Sequence, residues 1–266
     1  MKDELGERMK SNYEHRTRYY LPRRTYTIVR LDGKAFHTFT KNLKRPYDLE
    51  FMRTMDETAI ALCKEVQGAK MAFVQSDEIT LVLTDFESQQ TDAYFDGNIQ
   101  KIASITASIA TAAFNKVHLI ASGLDGMDIS QIKMAHFDSR VFSISDIEEV
   151  VNNFIWRQQD ATRNSIQMAA QSMFSHKELN LKNMSECQEM MFQKGTNWND
   201  YPVGFKRGRI ILKEKEELVR IKFSVPEQTV TRKAWASFEP PIFTQDRQFL
   251  ISRLPRIDGM IPGGFA

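Results

Sequence analysis

Two short acidic motifs constrain this chain more than anything else in it. Arg30-Leu31-Asp32-Gly33-Lys34-Ala35-Phe36-His37 and Gln75-Ser76-Asp77-Glu78 each follow a short apolar run that reads as a buried strand. Two carboxylates at the ends of neighbouring strands are what a two-metal phosphoryl-transfer site needs. Mg²⁺ prefers hard oxygen ligands and keeps several waters, so one or two aspartates plus substrate phosphates complete its shell. The pair Asp32 and Asp77 points to nucleotide chemistry and requires a fold that makes the two strand ends neighbours.

The coarse pattern supplies such a fold. Residues 3–19 are polar and helix-prone, and residues 25–31 are β-branched and apolar, ending at Asp32-Gly33. Apolar residues recur at helical spacing over roughly 48–66, with Asp48 as N-cap, and Gly68 closes that segment. Residues 70–75 and 79–84 read as a hairpin around Ser76-Asp77. A long Ala- and Ile-rich helix follows over 94–117, then a strand pair or one irregular strand over 132–144. Ser145, with Glu148 at capping-box spacing, opens a helix running to about Met173. The order β-α-β-β-α-β predicts an α+β, ferredoxin-like palm with an antiparallel sheet and both helices on one face. In that unit the first and third strands are central neighbours, so the hairpin tip lies beside Asp32. Residues 175–200 read as irregular, and 207–213 with 217–224 as a hairpin turning at Lys215-Glu216. The tail, with Pro262-Gly263-Gly264, reads as loose. We expect one compact domain over 1–266, with a palm core over 25–145 and C-terminal helices and a β-hairpin over 146–266.

Bulk properties narrow the field. The 266 residues are 42% hydrophobic, enough for a substantial core, and the formal net charge is only +2. A nucleic-acid partner must therefore meet local basic patches. Cys63 and Cys187 form no CxxC pair, which argues against zinc and disulfide frameworks and for a reducing compartment. No apolar run reaches the ~18 residues of a membrane span, and the charged N-terminus lacks a signal core. A soluble, cytoplasmic protein is expected.

Each motif has a plainer reading. Asp32-Gly33 is a common turn pair, and Asp77-Glu78 at a hairpin tip suits an exposed turn. The pairing of the two, beside a loop whose backbone N–H groups suit a triphosphate, outweighs those readings. Phe36 and His37 are either nucleobase contacts or, respectively, a core aromatic and a surface imidazole. Arg256-Ile257-Asp258-Gly259 repeats the first motif without a preceding strand or a following phosphate loop, and reads as a turn. No Walker loop, G-x-G-x-x-G, H-E-x-x-H or Cys/His cluster is present. Basic residues gather at Lys41, Lys44 and Arg45, at Lys206, Arg207 and Arg209, and at Arg157 and Arg163 beside Trp156. A solvated charged face is the default for each, and phosphate-backbone contact is the alternative.

These motifs resemble the tRNA-His guanylyltransferase family, and within it the Thg1-like reverse (3′-to-5′) polymerases. The matching blocks, besides the two acidic motifs, are Phe137-Asp138-Ser139-Arg140-Val141, Trp156-Arg157-Gln158-Gln159-Asp160 and Gly195-Thr196-Asn197-Trp198-Asn199, in order over roughly 3–250. The resemblance implies a polymerase-type palm, two Mg²⁺ ions, ATP and GTP or other NTPs as substrates, tRNA as partner and a homotetramer. It implies that Asp32, Asp77 and the Gly33 carbonyl hold the metals, with Asp32, Asp77 and Glu78 as the catalytic acidic set. It also implies that Lys34, Ala35, Phe36, His37 and Ser76 contact the nucleotide. Arg30 and Lys101 match positions linked to the 5′ triphosphate. Arg30, Arg45, Arg157 and Asn164 are the candidate RNA contacts. One departure matters: where tRNA-His enzymes carry His-Ile-Asn-Asn, this chain reads Thr162-Arg163-Asn164-Ser165. The missing histidine favours template-directed repair of tRNA 5′ ends over dedicated tRNA-His recognition. The rival readings are a nucleotide cyclase, against which Gln-Ser-Asp-Glu replaces Gly-Gly-Asp-Glu-Phe, and a non-catalytic RNA-binding module.

Overall fold

A computed structural model describes residues 3–121, 132–221 and 228–256. Helix α1 (Glu4–Asn12) precedes strand β1 (Tyr26–Gly33) and the single turn α2 (Phe36–Phe39). Helix α3 (Leu49–Glu65) leads to β2 (Ala69–Gln75) and β3 (Glu78–Leu83), and α4 (Ile99–Ala121) to β4 (Phe137–Ile144). Then come α5 (Ile147–Gln171), α6 (His176–Leu179), α7 (Met184–Gln193), α8 (Val203–Arg207), β5 (Arg209–Ile221), β6 (Gln228–Phe238) and α9 (Arg247–Ile251).

The strands form one antiparallel sheet in the order β4-β1-β3-β2-β5-β6. Its first four strands have the palm order expected from the sequence, with β1 and β3 adjacent. Alternation along each strand sorts the side chains between two layers. Val29, Leu31, Val74, Ile79 and Leu81 pack with Met55, Leu62, Ile102 and Phe114 of α3 and α4. Tyr26, Ile28, Phe73 and Val82 face the other way, onto Val150, Val151 and Phe154 of α5 and Leu250 of α9. Burying several such side chains at about 1.5–3 kcal/mol each fixes which face every strand residue points to, and so fixes the register. Asp48 caps α3 by accepting from the Phe51 N–H at 3.0 Å.

Local structure corrects the sequence reading in several places. The cap of α5 is Asp146, whose carboxylate accepts from the N–H groups of Glu148 and Glu149; Ser145 lies outside it. Aspartate at that position also complements the helix dipole. Of the two readings of 132–144, the single strand holds, and it starts at Phe137. Residues 175–200 are not irregular: α6 and α7 each begin with a capping box, Ser175/Glu178 and Asn183/Glu186. Their buried side is narrow, with Cys187, Met191 and Trp198 meeting Ile166, Ala169 and Ala170 of α5, so their sequence looks polar. Lys215-Glu216 is no turn, because β5 runs through it and pairs with β6 as far as Ile221 opposite Gln228. Residues 213–216 are exposed, so this part of the strand lacks the apolar alternation that announces one. The expected loose tail beyond residue 256 and the Asp258 motif lie outside the described residues.

Candidate active site

The register of the sheet assembles the site. Asp32, the penultimate residue of β1, stands opposite Glu78 on β3 and Asp138 on β4, and Glu78 stands opposite Gln75 on β2. One row of the sheet therefore reads Asp138, Asp32, Glu78, Gln75. Members of a row share a face, and this row shares the α5 side with Ile28 and Val82. Asp77 sits next to that row, in the two-residue turn of the β2–β3 hairpin. The turn bends through Ser76 at φ +45°, a conformation L-residues rarely adopt.

Asp77 is the perturbed group. Burial pushes its carboxyl up from the ordinary 3.8 to about 6. Bonds from Ser76 and its own backbone oppose that rise, and the charges of Asp32 and Glu78 add to it. The Ser76 hydroxyl donates to it at 2.9 Å. Among the described residues no cation pairs with Asp77. A half-buried carboxylate beside a second one, without a cation, is the donor set a hard divalent ion fits. No three His, Cys, Asp or Glu side chains among the described residues gather to cage a metal by themselves.

Glu78, expected in the catalytic acidic set, is engaged by cations of the protein itself. Its carboxylate is buried and accepts from Arg157 Nη1 at 2.9 and 3.2 Å and from Gln75 Nε2 at 3.2 Å. Arg30 Nε lies 3.2 Å from it. Glu78 is therefore neutralised inside the protein and anchors the hairpin base. Arg157 is 3% exposed and also reaches Asp160 at 3.4 Å, which removes it from the candidate RNA contacts. Arg30 is engaged in the same cluster, although part of its side chain still reaches solvent.

The loop after Asp32 divides between core and surface. Gly33 is required sterically: a Cβ there would lie 2.3 Å from the Phe36 ring. That ring is not a nucleobase contact. It is buried among Phe39, Phe51, Phe114 and Phe137 at centroid distances of 5.0 to 6.0 Å. The plainer of the two sequence readings holds for it. The Lys34 N–H donates to the His136 carbonyl at 2.8 Å and is not available to a phosphate. Ala35, at φ +56°, turns the chain into α2, and the side chains of Lys34 and His37 are exposed.

A cleft opens beside the hairpin tip. Gln75, Ser76, Arg45, Lys44, Phe51 and Asn164 line it, which places two of the candidate RNA contacts, Arg45 and Asn164, in this cleft. Lys101 does not line it. Its N–H donates to the Asn98 side chain at the start of α4, whereas Thr111 is the α4 residue that meets Phe137 near the carboxylate row. Ten residues of helix separate the two, about 15 Å. Asp138 and Arg140 were missed as site residues. Their block was visible in the sequence, but only the pairing of β4 with β1 gives them a place.

The chain is similar in sequence and fold to known proteins. The family model described as tRNAHis guanylyltransferase (Thg1) matches residues 6–145. The tRNA(His) guanylyltransferase of Schizosaccharomyces pombe is 29% identical over 223 residues, covering 77% of this chain and 81% of that one. A bacterial tRNA(His) guanylyltransferase (Thg1)-like protein solved with ATP superposes at a TM-score of 0.81, with 39% identity over 94% of this chain and 98% of that one. A bacterial Thg1-like structure with GTP gives 0.75 and 37% identity, over 94% and 99%.

Proposed function

From the premise that the chain belongs to the tRNA-His guanylyltransferase family, we propose that it adds nucleotides to the 5′ end of tRNA in the 3′-to-5′ direction, with the facing strand choosing the base. The reaction class is nucleotidyl transfer. The observation that carries the reading is Asp77, a half-buried carboxylate beside Asp32 with no cationic partner among the described residues, next to Ser76, which lines a cleft. The ATP and GTP bound by its structural neighbours make nucleoside triphosphates the co-substrates of this proposal.

In this reading a 5′-monophosphate end is first activated with ATP, releasing pyrophosphate, whereas a 5′-triphosphate end needs no activation. The 3′-hydroxyl of the incoming nucleotide then attacks that 5′ phosphorus, and AMP or pyrophosphate leaves. Two Mg²⁺ ions held by Asp32, Asp77 and the Gly33 carbonyl would lower the pKa of the hydroxyl and neutralise the leaving group. The protein's own work is positioning. Ser76 orients the Asp77 carboxylate, and the Glu78–Arg157 pair holds the hairpin that carries it. The cleft lined by Ser76, Lys44 and Arg45 takes the nucleoside and its phosphates. No side-chain nucleophile is required, and none stands in the carboxylate row.

Template direction rests on the 162–165 segment. The Thr162 hydroxyl donates to the Gln158 carbonyl at 3.0 Å within α5, and Arg163 donates to Asp160 at 2.9 Å. The Thr162 hydroxyl is satisfied within the helix, and the half-exposed Arg163 is paired with Asp160 of the same helix. Base-specific reading needs side-chain groups aimed at base edges, whereas phosphate contacts encode no sequence. The test is 5′-end extension of truncated tRNA-His and of an unrelated truncated tRNA, each with all four NTPs. Addition to both, dictated by the facing nucleotide, supports the proposal. Strong preference for tRNA-His, with G added whatever base it faces, assigns the activity named for the S. pombe relative instead. The cytoplasmic homotetramer implied by the resemblance is checked by light scattering and fractionation; among the described residues no helix is long and apolar enough to cross a membrane.

A further inference from the structure

Beyond the carboxylate row, the same face of the sheet carries a second and a third row. Arg30 stands opposite Arg140, and Ile28 opposite Phe142, so that Asp138, Arg140 and Phe142 descend along β4 on one side. Strand β4 is the sheet edge, and Asp138, Arg140 and Phe142 on it are exposed. The side chain of Arg140 is 56% exposed, Phe142 is 36% exposed and Trp156, on α5 beside Arg30, is 46% exposed. The Trp156 ring lies on the Arg157 guanidinium, 3.5 Å from its centroid, with Arg30 at 5.7 Å. Glu78 fixes Arg157 beneath it, which makes the indole a rigid platform. Arg140 comes no closer than 3.9 Å to Asp32 and 3.7 Å to Asp138, too far for a hydrogen bond. Two exposed rings bordering a pair of guanidiniums, starting at the catalytic carboxylates, match a polynucleotide's alternation of π-faces and phosphates.

We propose that Arg140, Phe142 and Trp156 form the track for the terminal nucleotides of the RNA strand whose 5′ end is extended. Bases stack on the two rings, and a phosphate sits at Arg140. This rests on the reading that the substrate is an RNA 5′ end. It adds a binding surface separate from the nucleotide cleft at Ser76 and Arg45, because the track lies toward the β4 edge and the cleft on the β2 side of the hairpin.

The test measures binding of a 5′-truncated tRNA to the full chain by fluorescence anisotropy, with free GTP affinity measured in parallel. Phe142→Leu and Trp156→Leu keep an apolar side chain but remove the ring, and each is expected to weaken RNA binding roughly 5- to 150-fold. Phe142→Tyr and Trp156→Phe are expected to restore it, and GTP affinity is expected to stay within about twofold of the native value in all four, since stacking needs a π-face and the cleft is elsewhere. Arg140→Gln should lower the slope of log affinity against log salt by about one phosphate contact. RNA affinity unchanged in both Leu variants, or RNA and GTP affinities falling together, would overturn the track. If the unmodified chain extends tRNA while these variants bind it normally, the track alone fails. If the unmodified chain neither binds nor extends tRNA, the underlying reading fails with it.

Discussion

Replacing Asp77 with asparagine should make the metal-free protein more stable while abolishing nucleotide addition. Burial raises the Asp77 carboxyl from 3.8 to about 6. A carboxyl whose folded pKa is raised binds its proton more tightly when folded, so its ionisation opposes folding. That cost is absent below about pH 4, grows through the window from about 4 to 6, and is complete above it. A rise of about two units corresponds to about 3 kcal/mol at neutral pH. The side chain still meets some solvent, so about 1–3 kcal/mol is the working range. The amide of the Asp77→Asn variant keeps the shape of the carboxylate and loses its charge. The assay is urea denaturation of both proteins in EDTA at pH 4 and pH 7.5. The difference in stability should be near zero at pH 4 and favour Asp77→Asn by about 1–3 kcal/mol at pH 7.5. Added Mg²⁺ should stabilise only the native sequence, by mass action on the folded state. A variant less stable at pH 7.5, or a difference independent of pH, would refute the reasoning.

Three further outcomes follow from the same geometry. Arg157→Met removes the strongest partner of the buried Glu78 carboxylate and should cost about 3–5 kcal/mol in urea denaturation, with Glu78→Gln in the same background recovering part of it. Gly33→Ala drives a Cβ against the Phe36 ring and should cost about 1–3 kcal/mol in a core that has no slack, with 5′-end addition falling because Asp32 is displaced. Burial pushes the Cys63 thiol far above its ordinary pKa, so at pH 8 it should resist a disulfide reagent until the protein is unfolded in denaturant; prompt labelling of native Cys63 would contradict its place in the core.

The sequence by itself determined the palm. Apolar runs ending at Asp32 and at the Ser76-Asp77 turn, one amphipathic helix between them, a second after the hairpin and the Asp48 cap are local signals, and a local signal survives without knowledge of the neighbours. It also determined that the two acidic strand ends would meet, because the β-α-β-β-α-β order makes β1 and β3 neighbours. The capping boxes that open α6 and α7 were present too, at Ser175/Glu178 and Asn183/Glu186, but their thin apolar stripe hid them. Only the tertiary structure decided what each charge does. Asp77 and Glu78 are adjacent in the chain and chemically alike, yet one stays without a cation at the turn while the other is neutralised by Arg157, 79 residues away. Phe36 and His37 are adjacent as well, and packing sends one ring into the core and leaves the other exposed. Lys101 matched a functional position in sequence and stands at the remote end of its helix. Strand pairing across long stretches of chain brings Asp138 and Arg140 to the row of Asp32, and no local pattern records a cross-strand partner. Propensity is a property of a segment, whereas ionisation, burial and register are properties of what surrounds it, and the site is built from the latter.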